Sequence, residues 1–328
     1  MHHQITRRTL LTGAASLAAG GLASAQDSAS DYPSQDVKFV CAFPAGSGAD
    51  VYVRYFAEKL RPLMKRTIVV ENRVGANANI ATTYSARAKP DGHTIYIHAP
   101  NSLAANMHLF KNPPVDIARE IQIVAGINVQ PFMLCTGANY PAKTLNELVA
   151  ALKAKGDKAS YASNNPTARV AGAWFKKHFD LQSVEVQYKT GSETLNDMAS
   201  GVIDFAFHDP VTAVAGANSG RLRMLAVTTK DRMKSMPELP SMHELGVTNY
   251  DVGGWWAAMV PMATPKPIVE KIRHMFEEIV GNEETRQFMA KFGADTLMIS
   301  PEEGQKRMIK DIEDWGGFVK LAKIEPQG

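Results

Sequence analysis

The sequence predicts an α/β fold of two lobes, each a mainly parallel sheet flanked by helices, and three observations lead there. Short apolar runs alternate with stretches whose apolar residues recur every three or four positions, the alternation that builds right-handed βαβ units. The connections that leave the first two runs are rich in glycine and other small residues. The length, 328 residues, lies where a single core usually divides in two.

In chain order, Met1 to Ala25 reads as an export signal: a polar head with Arg7 and Arg8, an apolar stretch from Leu10 to Leu22, and the small triplet Ala23-Ser24-Ala25. The Thr6-Arg7-Arg8-Thr9-Leu10-Leu11 run has the twin-arginine pattern, which places the cleaved protein in a bacterial periplasm. Val37–Phe43 is then a buried strand, Pro44–Asp50 a glycine loop, and Val53, Phe56, Leu60 and Leu63 mark a helix. Thr67–Glu71 is a second strand, Val74–Asn79 a small-residue loop, Ile80–Ala88 a helix, and Thr94–His98 a third strand. Ile121–Ile127 and Phe132–Cys135 are strands that lead into a second lobe. There Thr144 and Glu147 form a capping box, and Ala159–Ala162, Ala168–Phe179, Val184–Tyr188, Glu193–Ser200, Val202–Phe207 and Met224–Val227 alternate as strand and helix. The strand Trp255–Val260 and the helices Pro267–Val280 and Pro301–Ala322 return to close the first lobe. The expected division is therefore 34–134 plus 251–328 for lobe 1 and 135–250 for lobe 2.

Composition narrows the function classes. The signal holds two arginines and no acid, so 34 Lys and Arg remain against 33 Asp and Glu, and no basic stripe interleaved with aromatics suggests nucleic acid. No later run of 18 apolar residues is present to span a membrane. Metal-ligand spacings, a phosphate cradle and a nucleophile elbow are absent, and no cofactor is expected. Cys41 and Cys135 read as two separate buried thiols. What the loops do offer is backbone N–H groups at helix starts, which attract anions through unpaired donors and the positive end of the macrodipole. If their two strands are parallel neighbours, these ends converge on one cleft, and a carboxylate is the natural guest. Asp50 is expected to cap the first helix.

Phe43-Pro44-Ala45-Gly46-Ser47-Gly48-Ala49-Asp50, Val70-Glu71-Asn72-Arg73 and Pro90-Asp91-Gly92-His93-Thr94 resemble, in order and spacing, signatures of the tripartite tricarboxylate transporter substrate-binding proteins, also called the Bug family. Tyr188-Lys189, Gly201-Val202-Ile203-Asp204, Gly220 to Val227, Arg232 with Pro237-Glu238-Leu239-Pro240, and Pro261 to Pro265 extend the likeness over the whole chain after the signal. The resemblance implies a type II periplasmic binding protein, two lobes joined by crossing hinge strands that close over a small organic ligand. The resemblance also implies a monomer that is not an enzyme and that delivers its ligand to the membrane subunits of a tripartite tricarboxylate-type transporter. The ligand carboxylate would lie between Phe43, Ala45, Gly46, Ser47, Gly48 and Asp50 on one side and Gly75, Ala76, Asn77 and Asn79 on the other. Ser102 matches a hydroxyl position of the third loop, and His98 ends the strand before it. The second lobe would contribute Asn164, Thr167, Arg169, Tyr188, His208 and Asp209.

Departures from the family pattern touch the pocket. Val74 stands where proline is usual and Asn77 where glycine is usual, so an amide is expected to project toward the carboxylate. Arg169 stands where histidine is common: facing the cleft it would clamp a second carboxylate, facing out it is a solvated helix residue. His208 replaces an acid that would suit an amino group, which disfavours an amino-acid ligand. Of Trp255 and Trp256, strand alternation lets at most one face the ligand. Two rival readings are an exported enzyme acting on an organic acid, with His98, His208 and Asp209 as its titratable groups, and a sensor that presents its ligand to a signalling receptor.

Overall fold

The computed structural model describes residues 31–328 apart from 189, 190 and 249, so the export signal and Lys189 lie outside the described residues. Two sheets organise the chain. The first contains β1 (Val37–Cys41), β2 (Ile68–Asn72), β3 (Thr94–His98), β4 (Ile121–Gln130), β10 (Gly254–Pro261) and β11 (Asp295–Thr296), in the order β11-β4-β10-β3-β1-β2. The second contains β5 (Met133–Gly137), β6 (Ser160–Ser163), β7 (Val184–Gln187), β8 (Phe205–His208) and β9 (Leu222–Val227), in the order β7-β6-β8-β5-β9. β1 is parallel to both β2 and β3, and β6 to both β7 and β8, whereas β10, β11 and β5 run against their neighbours. The expected two-lobed α/β class is what the chain adopts, but its sheets are mixed, with four parallel and five antiparallel strand pairs among the described residues.

Helices cover the sheets as the apolar stripes require. α1 (Gly48–Met64) buries Val53, Phe56, Leu60 and Met64 on one face of the first sheet, where α9 (Lys266–Val280) packs beside it through Ile272 and Phe276. The other face carries α2 (Asn79–Ala86), α3 (Pro100–Leu109) and the long α11 (Pro301–Leu321), with the single-turn α4 (Ile117–Glu120) at its edge. α5 (Leu145–Lys155), α6 (Pro166–His178), α7 (Gly191–Ala199) and α8 (Pro210–Asn218) surround the second sheet, and α10 (Glu283–Ala290) joins α9 to β11. One apolar cluster is continuous from Tyr96 and Met308 to Phe175 and Phe205, so the lobes share part of their core.

Several local expectations are corrected. The cap of α1 is Ser47, whose hydroxyl accepts the Asp50 N–H at 3.2 Å, and not Asp50. The Thr144 box is only half made: Thr144 accepts the Glu147 N–H, but the Glu147 carboxylate takes the N–H of Lys143 instead of Thr144. A reciprocal box exists at Ser300 and Glu303, at the start of α11. Val202 to Asp204 lie outside β8, because Gly201 turns the chain at φ 79° and the buried Asp204 carboxylate is held by the Ser160 N–H and Lys155. Cys41 and Cys135 are free and buried in different sheets. Among the described residues no helix is long and apolar enough to cross a membrane.

Candidate functional site

Six helices, α1, α2, α3, α6, α7 and α8, begin just beyond the carboxyl ends of strands, the edge at which open α/β sheets hold ligands. The two sheets turn these edges toward each other. A Cβ on Gly48, at the start of α1, would lie 3.6 Å from the Val211 side chain at the start of α8. Within the second lobe, Gly191 lies against Thr212 and Asn164, so the starts of α7, α8 and α6 are grouped.

In the first loop, Gly46 adopts φ 80°, a region that favours glycine. The buried Asp50 carboxylate accepts from the Gly46 N–H, Arg54 Nε and Asn72 Nδ2, each at 2.8 Å, and so ties the loop to α1 and β2. Burial opposes this charge, but those donors together hold its pKa below the usual carboxylate range. The Ser47 N–H is spent on the Pro44 carbonyl. The donors left over in the first turn are the N–H groups of Gly48 and Ala49, which have no acceptor within the described protein.

The second loop leaves the neighbouring parallel strand, with Cys41 opposite Asn72, so the two loops share one edge. Ala76, Asn77 and Ala78 all have positive φ, between 48° and 71°. Asparagine is the residue other than glycine that tolerates this region best, which suits Asn77 to its place. The Asn77 carbonyl accepts from Asn106 Nδ2 at 2.6 Å and the Ala78 carbonyl from Thr82 Oγ1 at 2.9 Å, so the oxygens turn inward. The N–H groups of Ala76 and Asn77 have no backbone acceptor, and successive amides of this kind make an anion-binding concavity. Asn79 is engaged by the same Asn106 at 3.0 Å, while the half-buried Ser102 hydroxyl at the start of α3 has no internal partner. Ala76 and Asn79 also border a groove of about 990 Å³ on the flank of the first lobe, beside Arg73 and Tyr84.

Most of the second-lobe candidates are engaged internally. Arg169 is neither a free clamp nor a solvated residue, since its Nε lies 3.2 Å from Glu185, whose other oxygen accepts from Ser163. Asp209 caps α8 through the Thr212 N–H at 3.0 Å and hydroxyl at 2.7 Å. Tyr188 donates to Asp197 at 2.6 Å. His208 is buried under α7, 3.1 Å from the Thr194 hydroxyl, and burial lowers its pKa to about 4, so the ring is neutral. Asn164, half-buried, and Thr167, buried, stand at the start of α6. Asn165, which sequence reasoning passed over, caps that helix by accepting the Ala168 N–H at 2.9 Å.

Beneath the first loop lies an aromatic floor. The half-exposed Phe43 ring covers His98 at 5.2 Å and Trp256 at 6.1 Å, and Tyr52 meets Trp256 at 5.8 Å. A register shift between Trp256 and Ala257 in β10 accompanies the approach of Trp256 to His98, whose partner in β10 is Ala257. Both nitrogens of His98, the Tyr52 hydroxyl and Trp256 Nε1 are buried without partners. Burial pushes the His98 pKa down to about 3. Tyr52 is a second residue the sequence reading missed, although it lies two positions after Asp50 on the face of α1 that faces the sheet. Trp255 and Trp256 are both buried and point to opposite faces, one toward α11 and the other toward Tyr52.

With this geometry in view, comparisons with known proteins are informative. Residues 52–323 match the model of the tripartite tricarboxylate transporter family receptor. Protein BugT of Bordetella pertussis is 28% identical over 308 residues, covering 93% of this chain and 94% of its own. Among solved structures, the periplasmic binding protein BugD superposes with a TM-score of 0.75 at 28% identity, over 90% of this chain and all of its own. R. palustris Rpa4515, solved with adipate, gives 0.80 at 26% identity with the same coverage.

Proposed function

Because the chain belongs to the tripartite tricarboxylate transporter family receptors, we propose that it is a periplasmic protein which captures a small organic carboxylate between its lobes and hands it to the membrane subunits of a transporter of that type. The moving bodies follow the expected division at 134 and 251, shifted to 132 on the first crossing because β5 (Met133–Gly137) pairs wholly within the second sheet. The observation that carries this reading is the set of unspent amides at Gly48, Ala49, Ala76 and Asn77 on one sheet edge, facing the helix starts of the other lobe. Fixed N–H donors replace water around the anion without needing a cation. The nearby cations support this, since Arg54 is committed to Asp50 and Arg169 to Glu185. A dicarboxylate is favoured by the likeness to a protein that holds adipate. The buried, neutral His98 and His208 give no support to acid–base chemistry.

Thermal unfolding with adipate, shorter and longer dicarboxylates, aromatic acids and amino acids tests the reading. A bound carboxylate at a hundredfold excess over its dissociation constant adds about 2.7 kcal/mol to stability. If only cationic or uncharged compounds raise the midpoint, the assignment is wrong.

A further inference from the structure

A second cavity, of about 950 Å³, lies beside the hinge, bounded by the connections 229–231 and 250–253, by α11 and by the start of α6. Its aromatic wall bridges the lobes: Trp174 of α6 lies 5.0 Å from Tyr250 and 5.5 Å from Phe318 of α11. Its polar wall carries five carboxylates, Asp231, Asp251, Asp311, Glu313 and Asp314, against the three cations Lys230, Arg307 and Lys310. Asp311 takes a hydrogen bond from Trp255 Nε1 at 2.7 Å, and Asp251 opens into the same space. Among the described residues neither carboxylate has a cation within ion-pairing distance: Lys310 is bound to Asp314, and the Arg307 guanidinium lies over the Trp255 ring, 5.1 Å from its centre. Asn101 supplies an independent sign. Its side chain is 5% exposed and lines the cavity, its Nδ2 must face the Gly253 carbonyl at 3.3 Å, and its oxygen is left with no donor.

We propose that this hinge cavity is a binding site for a primary ammonium compound with an aromatic or apolar body, adjoining the carboxylate site between the lobes, with which it shares the start of α6. An ammonium carries three donors and no acceptor, which matches two carboxylates without ion pairs and an amide oxygen without a donor. Tyr250, Trp174 and Phe318 take the apolar body. Burial raises both carboxyls, Asp311 to about 6, and outweighs the opposing charges of Arg307 and Lys310, so a bound cation would restore favourable charge balance.

Calorimetric titration of the full exported chain with 2-phenylethylammonium chloride at neutral pH tests the site, with 3-phenylpropionate as the anion of like shape. The expected result is one-to-one binding of the ammonium that persists in saturating adipate and weakens at least tenfold in both Asp311→Asn and Asp251→Asn, while Lys176→Ala has no effect. Asp251 is exposed, so its variant folds even if Asp311→Asn does not. Absence of ammonium binding, equal binding of the two compounds, or displacement of the ammonium by adipate would each overturn the proposal. Only the last would do so by placing the compound in the carboxylate cleft.

Discussion

Burial of His98 with both ring nitrogens unpaired sets an acid limit on the fold. The folded ring is kept neutral down to about pH 3, whereas in the unfolded chain it titrates near 6.5. The stability it contributes is therefore complete above about 6.5 and is lost as pH falls toward 3. His98→Phe removes two orphaned polar atoms, so it should be neutral or stabilising by about 1 kcal/mol at pH 7 and should flatten the acid limb of a pH–denaturation series. Gly46 tells a different story. Gly46→Ala forces a side chain into the left-handed region at a cost of about 1 kcal/mol and shifts the loop that carries the Gly48 and Ala49 amides. Calorimetry should show weaker carboxylate binding for it and none of that loss for Lys176→Glu. The capping of α1 was legible at this scale and was misread: Ser47-Gly48-Ala49-Asp50 is the S-x-x-D spacing of a helix start, yet two capping-type residues stood in one loop. The engagements of Arg169, Asp209 and His208 could not be read at all, since Glu185 and Thr194 reach them only through the tertiary fold.

Elements that bury one clear stripe were readable from the chain, and those that do not were missed. β3 was placed to the residue and α9 and α11 to within one, because each carries an apolar run or a long periodic face. α3 and α8 escaped notice. α3 buries residues all around, including Asn101 and Asn106, and α8 is rich in alanine, so neither has a polar face to set the period. α10 is short and polar, with only Thr285 and Met289 buried. The reciprocal box at the start of α11 gives this scale its test. Ser300→Ala removes a cap that also receives Glu303 and should cost about 1 kcal/mol, more than Thr144→Ala, whose box lacks the return bond. Urea denaturation of both variants measures the difference.

At the scale of the molecule, the shared apolar cluster and the aromatic bridge from Trp174 to Phe318 form a packed seam about which the proposed closure would rotate the lobes. The sequence suggested two bodies, but not that α11 would touch both. Tryptophans on each side of that seam, Trp174 and Trp315, should report the motion, so carboxylate binding is expected to change intrinsic fluorescence, and Trp174→Phe should remove most of the change.

The nearness of Val211 to Gly48, where an added Cβ would lie 3.6 Å from it, has a kinetic consequence for the proposed closure. The space between them is too narrow for a solute, so under the proposed closure admission past this point would wait for the two residues to separate. Raising the solute concentration should then speed uptake up to a plateau, and the height of that plateau counts how often the gate swings. Shortening its latch with Val211→Ala should lift the ceiling, a change visible in stopped-flow traces.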